Sequence, residues 1–208
     1  MEVWNLKIKD RKERQMKRLI LFFGCCLMAI TLSSQTLSEQ DIIQKMASAA
    51  RATKSIRADF TQTRHSKMLR EAQVSEGKMS CRQPDKLRWE YTSPRQSALI
   101  LDGTNARLTK DGNGNGGRNK FAGEMARLIM NSVAGKYLTD DKAFQVSATA
   151  SATEYVATLV PVRKEMKRLY TKLVLHFDPE QSVVTQVELY EKDASHIVIE
   201  LHDIQTDR

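Results

Sequence analysis

At 208 residues the chain is long enough for one domain of ordinary size with a sizeable core, and nothing in its composition marks a second one. The formal net charge is +8, but the 33 Lys and Arg are scattered among 25 Asp and Glu with no aromatic residues interleaved for base stacking. That excludes a nucleic-acid stripe and leaves, at most, a weak attraction to anionic lipid headgroups.

The first 35 residues differ from the rest. A charged run over 7–14 and the basic Met16-Lys17-Arg18 precede an apolar stretch over 19–32, followed by Ser33, Ser34 and Gln35. A basic start, a short apolar run and a small-residue exit predict a secretory signal peptide over 1–35, too short for a comfortable membrane span. Met16 fits as the true start, because the residues before it add nothing that export requires. Cys25 follows Gly24 inside the apolar run and reads as apolar filler, not as a lipid-attachment site. Four of the eight net positive charges leave with this segment, so the remainder, 36–208, carries +4. Cys81 is then the one remaining cysteine, which excludes an internal disulfide in the mature chain.

Ser38 with Asp41 three residues on predicts a helix start, and Ile42, Ile43, Met46, Ala49, Ala50 and Thr53 share one face of a helix over 39–54. Over 58–103 the pattern changes to alternation: Ile56, Ala58 and Phe60; Met79 and Cys81; Leu87, Trp89 and Tyr91; Leu99 and Leu101. A period of two places these residues on one face of an antiparallel sheet with one apolar side. Turn signals at Glu76-Gly77, Gln83-Pro84-Asp85-Lys86, Thr92-Ser93-Pro94 and Asp102-Gly103 divide it into a meander.

A short strand is expected over 105–109, then a glycine-rich loop over 110–119 that lacks the endings of phosphate-binding loops and reads as a hairpin tip. A second helix over 121–132 sets Phe121, Met125, Leu128, Ile129 and Val133 on one side, with Gly135 placed to end it. Leu138 to Asp141 could begin a further short helix. Strands are expected over 144–148, 154–160, 169–177, 183–190 and 196–204, forming one meander that continues the first.

The chemistry-bearing residues form no constellation. His65, His176, His196 and His202 are scattered without zinc-ligand spacing, no Gly-x-Ser-x-Gly elbow occurs, and Asp140-Asp141 reads as a pair of loop acids. No cofactor, metal or catalytic residue is expected. The apolar faces of some ten strands exceed what two helices cover, which leaves two possibilities, a filled core or a cavity.

Phe60-x-Gln62, Gly77 opening the next strand, Pro84 before a strand centred on Trp89, then Pro94 and an apolar strand ending Asp102-Gly103 resemble, in that order, the LolA-type periplasmic lipoprotein carriers. The resemblance implies an α+β fold, an antiparallel half-barrel (an unclosed β-barrel) lidded by two or three α-helices, with a cavity for acyl chains. It implies an acylated lipoprotein or related lipid as cargo, taken by a monomer from an inner-membrane lipoprotein-releasing transporter to an outer-membrane acceptor. Carried over residue by residue, the lining is Phe60, Leu87, Trp89, Tyr91, Leu175 and Phe177, and the lid is Met46, Met125, Leu128 and Ile129.

Three departures stand out. Family members usually have an arginine before the second-turn proline that latches the lid; Gln83 stands there, and Arg82, one step earlier, is the candidate latch. Arg107 replaces an aromatic, and no closing strand with a Phe-containing tail follows. Three rival readings remain: a lipid- or envelope-stress-sensing domain of the same fold, a carrier for a specialised glycolipid, and an enzyme acting on a lipid-linked intermediate.

Overall fold

Ser38 begins the first helix by a reciprocal cap. Its Oγ accepts from the Asp41 backbone N–H at 3.2 Å, and the Asp41 carboxylate accepts from the Ser38 N–H at 3.2 Å, so two of the orphan donors of the first turn are satisfied. Helix α1 (Glu39–Ala52) buries Ile42, Ile43, Met46, Ala47 and Ala50. It stops short of residue 54 because Thr53 turns extended, its N–H and hydroxyl both bonding back to the Ala49 carbonyl, at 3.2 and 2.9 Å. The computed structural model describes residues 37–68, 70–110 and 120–208, without the side chains of 120–122. The leader and residues 111–119 of the glycine-rich loop lie outside the described residues.

Ten strands form one antiparallel sheet: β1 (Ser55–His65), β2 (Gln73–Arg82), β3 (Lys86–Ser93), β4 (Ser97–Asp102), β5 (Asn105–Lys110), β6 (Phe144–Ala150), β7 (Tyr155–Pro161), β8 (Tyr170–Phe177), β9 (Val184–Glu191) and β10 (His196–Asp207). Their spatial order is β5-β4-β3-β2-β1-β10-β9-β8-β7-β6. The expected single meander is therefore corrected. The second half does not run on from β5; it begins at the far edge with β6 and returns, so that the last strand pairs with the first, Phe60 opposite Leu201. β5 and β6 remain as two unjoined edges, and the sheet is an unclosed half-barrel.

The segment between those edges supplies the cover. Helix α2 (Lys120–Val133) packs on β3, β4, β5 and β9, and a 3-10 turn at Lys136–Thr139 follows it, packing with α1. Gly135 ends α2 in the left-handed region, φ 63°, as the position after the helix demanded. A third helix, α3 (Lys164–Leu169), had no expectation attached to it; it buries none of its residues and so has no apolar period to read.

Glu76-Gly77 is not a turn, which corrects the second expectation. Gly77 sits inside β2, opposite Phe60 on one side and Tyr91 on the other. A Cβ there would lie 2.5 Å from Phe60 Cζ and would meet the Glu90 carbonyl as well, so the glycine is required by close approach and not by chain reversal.

Candidate functional site

The inward faces of β1 and β3 bring three aromatic rings together. Phe60 stacks on Trp89 with centroids 4.0 Å apart and planes 24° apart, and meets Tyr91 edge-on at 5.4 Å. Gly77 makes this possible by letting the Phe60 ring lie flat across β2. The Tyr91 hydroxyl donates to Gln62 Oε1 at 3.0 Å, and burial pushes its pKa up. The Trp89 indole N–H is different. It is fully buried without a well-formed hydrogen bond, and it acts as a donor on the neighbouring Tyr91 hydroxyl, opposing the rise in that group's pKa.

Helix α2 closes over this cluster. Leu128, Ile129, Ser132 and Val133 face Trp89, Val187, Leu189 and Ile199 across a void of about 10 Å³, at the margin of what holds one water. Between these described residues, side chains fill nearly all of the space. It is not filled perfectly. Ser132, one of the residues around that void, has a buried hydroxyl without a hydrogen-bond partner. An unpaired buried donor costs about 1–3 kcal/mol, so the seam between lid and sheet is not fully optimised.

The lid is fastened at one end. Gln83 Nε2 donates to the carbonyls of Ala50 and Thr53, at 2.8 and 2.7 Å, and the Gln83 backbone N–H bonds the Lys54 carbonyl at 2.9 Å. These bonds hold the carbonyls at and just beyond the C-terminal end of α1. Lys136 Nζ reaches the Pro84 carbonyl at 2.9 Å, and a Cβ on Gly135 would come within 2.7 Å of Ala50 Cβ, so the α1 and α2 ends meet over the same turn. Arg82 is exposed and aims at the opposite face, as period-two alternation dictates. Contact with the helix belongs to Gln83 and not to Arg82.

The other end of α2 borders a cleft of about 420 Å³ lined by Arg64, Met125, Arg168, Tyr170, Glu191 and Lys192, among others. The Tyr170 hydroxyl bonds Met125 Sδ at 3.4 Å, and burial, then Glu191, pushes its pKa up to about 12. Arg64 pairs with Glu191 at 2.7 Å at the rim.

Cys81 is buried, and burial lifts its thiol to about 11, far from a reactive thiolate. The polar cluster of the chain lies on the outer face, where Glu188 accepts from His176 at 2.9 Å, Tyr190 at 2.7 Å and His196 at 3.1 Å. No His, Cys, Asp and Glu among the described residues are grouped to hold a metal.

All ten residues expected in the lining and lid fall in or against one continuous apolar core, Tyr91 and Met125 half-buried and the others buried. Trp89, Leu128 and Ile129 meet at the void, whereas Met46, Leu87, Leu175 and Phe177 lie elsewhere in that core. Ser132 was missed. Its position, four residues after Leu128 and three after Ile129, places it on the buried stripe and was the available signal.

Comparison with known proteins follows this geometry. An outer-membrane lipoprotein carrier protein of Serratia proteamaculans (strain 568) is 33% identical over 88 residues, 42% of this chain and 41% of that protein, so the match spans under half of the relative's length. Among solved structures, MucB has a TM-score of 0.50 at 13% identity, covering 82% of this chain and 59% of MucB. A LolA superfamily protein from Nitrosomonas europaea has a TM-score of 0.45 at 12% identity, covering 83% of this chain and 94% of that one. The model of the family described as outer membrane lipoprotein carrier protein LolA matches residues 51–208, and the chain belongs to that family.

Proposed function

We propose that the chain is an exported, periplasmic, non-enzymatic carrier that takes the acyl chains of lipoproteins, or of related lipids, beneath α2 and passes them to the outer membrane. On this reading residues 1–35 direct export, an inner-membrane lipoprotein-releasing transporter loads the carrier, and an outer-membrane acceptor unloads it. The observation that carries the reading is the seam itself, an apolar lid lying on an apolar sheet with incomplete packing between them.

Loading exchanges one set of apolar contacts for another. Lifting Met125, Leu128, Ile129, Met130 and Val133 off the sheet gives up about 8–15 kcal/mol at about 1.5–3 kcal/mol per side chain. At about 0.8 kcal/mol per methylene, some 10–19 buried methylenes restore it. One long acyl chain roughly balances the lid, and two or three outweigh it. Met125 and Met130, flexible and polarisable, suit a surface that repacks around cargo. The fastening at Gln83 and Lys136 provides the fixed end about which α2 swings, and the cleft at Met125 lies at the end that opens.

Native mass spectrometry of the exported protein tests this reading. Bound diacyl or triacyl mass is expected; a folded, exported protein that never carries acyl mass, in a host making lipoproteins, would overturn it. No helix among the described residues is long and apolar enough to cross a membrane.

A further inference from the structure

Charges that are scattered along the sequence are sorted by the fold. Because the sheet is antiparallel throughout, the turns β1–β2 (66–72), β3–β4 (94–96), β7–β8 (162–169) and β9–β10 (192–195) all lie at one end of it. These four turns hold eight Lys and Arg against Glu71, Glu165 and Asp193, a net of +5. The turns at the other end (83–85, 103–104, 151–154 and 178–183) hold Asp85, Glu154, Asp178 and Glu180 and no Lys or Arg, a net of −4. One rim of the half-barrel is basic and the other acidic.

The basic charge is available. Arg163 faces Asp140 at 3.6 Å, and Asp193 is engaged in its own turn, accepting from the Ser195 N–H at 2.8 Å. The other seven cations, Lys164, Lys167 and Arg168 of α3 among them, have no acidic partner among the described residues. Apolar side chains stand beside them. Among the described residues six large apolar side chains are exposed, and four of them, Met68, Val74, Val162 and Leu169, lie in these turns or at the strand start next to one. Met68 is 94% exposed. The cleft at Met125 opens on the same rim, since Arg168, Leu169 and Lys192 line it.

We infer that this rim is a docking surface for an anionic phospholipid bilayer, which it meets with Lys and Arg at the headgroup level and with Met68, Val162 and Leu169 pressed among the headgroups. Docking needs no cargo and so goes beyond the carrier reading; the two can fail separately. The opposed charges of the two ends turn the molecule, so that the basic rim and the cleft approach a negative surface first.

The composition of the rim selects a bilayer over an acidic protein. Protein interfaces are anchored by buried Trp and Tyr, and these four turns contain no aromatic residue. Their cations stand on long flexible stems in separate turns about 10 Å apart, two strand spacings from one to the next. A fluid layer of phosphates accepts that arrangement without fixed pairing geometry, and exposed aliphatic side chains among basic ones suit the headgroup boundary.

The test is cosedimentation of the exported protein, without cargo, with vesicles of phosphatidylglycerol and phosphatidylcholine in equal parts and with vesicles of phosphatidylcholine alone. Binding to the anionic vesicles is expected at about 0.05 M salt, with little to the neutral ones, and is expected to fall steeply by about 0.5 M. Each cation near the surface contributes about fivefold. Lys164→Gln, Lys167→Gln and Arg168→Gln combined, on a helix that buries none of its residues, are therefore expected to weaken binding about 100-fold. Lys67→Gln with Arg70→Gln, in a separate turn, is expected to weaken it about 25-fold. Lys54→Gln with Arg82→Gln, away from this rim, is expected to leave it unchanged. All variants share the same leader state, so differences among them report the rim. A bimane on Met68→Cys is expected to shift to the blue on anionic vesicles, and one on Thr104→Cys at the acidic rim is not; Cys25→Ser and Cys26→Ser confine the label, because Cys81 is buried. Equal binding to both kinds of vesicle, undiminished binding by both rim variants, or equal shifts at the two labels would overturn the docking surface. A chain that ignores vesicles, yet loses delivery to a partner protein in the rim variants, would also overturn it and make the rim a protein interface.

Discussion

Gln83 Nε2 donates to the Ala50 carbonyl at 2.8 Å, tying the turn between β2 and β3 to the last turn of α1. A second bond from the same nitrogen to Thr53 makes this amide the fastening of helix to sheet. Replacement by leucine removes both bonds and leaves the Thr53 carbonyl without this partner, so Gln83→Leu is expected to lose about 2 kcal/mol in urea denaturation and to release bound lipid faster. Arg82→Leu, on the exposed face, is expected to change neither by more than about 0.5 kcal/mol or its kinetic equivalent. Equal release rates for Gln83→Leu and wild type would remove Gln83 from the lid mechanism.

Gly77→Ala tests the aromatic cluster. The added methyl collides with the Phe60 ring and with the Glu90 carbonyl, and the second collision is with backbone that cannot swing away. A loss of about 3 kcal/mol is expected, with a changed near-ultraviolet circular dichroism band as Phe60 leaves Trp89. A variant of wild-type stability would mean that the ring does not lie across this strand in solution.

The ten strands were legible where side chains alternate: Leu87, Trp89 and Tyr91, or Leu173, Leu175 and Phe177, announce their faces directly. Hairpin partners were legible too, because turn residues mark them locally. The β1–β10 pairing was not, since it joins residues such as Phe60 and Leu201 that share no turn. Gly77 was misread because a glycine that admits a ring and a glycine that reverses a chain look alike in sequence. The lining residues were nameable, yet how tightly they fill the space depends on summed volumes in three dimensions. That is why the interior could be listed but not measured, and why Ser132 drew no expectation.

On the outer face, Glu188 gives a pH dependence of known sign. Burial acts to raise its pKa, but hydrogen bonds from Tyr190, His176 and His196 outweigh it and hold the carboxyl below its ordinary value of 4.5. A depressed folded value means the contribution is fully present above the unfolded value and lost as pH falls through the folded one. The stability gap between wild type and Glu188→Gln is therefore expected to be widest near about pH 6 and to close towards about pH 3. A gap that does not vary over that range would detach the carboxylate from folding.

Chain number sets affinity if the lid must be displaced. Since one acyl chain roughly balances the contacts α2 gives up, a single-chain lipid is expected to bind at least about 100-fold more weakly than a diacyl lipopeptide of the same chain length. Titration by calorimetry measures both. Equal affinities would place the binding site on the surface and not beneath the helix.

The central claim is that cargo enters the space between α2 and the sheet. The most direct measurement is quenching of Trp89, which is 0% exposed, by a diacyl lipopeptide with brominated acyl chains, in the Trp4→Phe background. Strong quenching on binding, absent with unbrominated chains, is the predicted result. Binding that leaves Trp89 emission unchanged would contradict it.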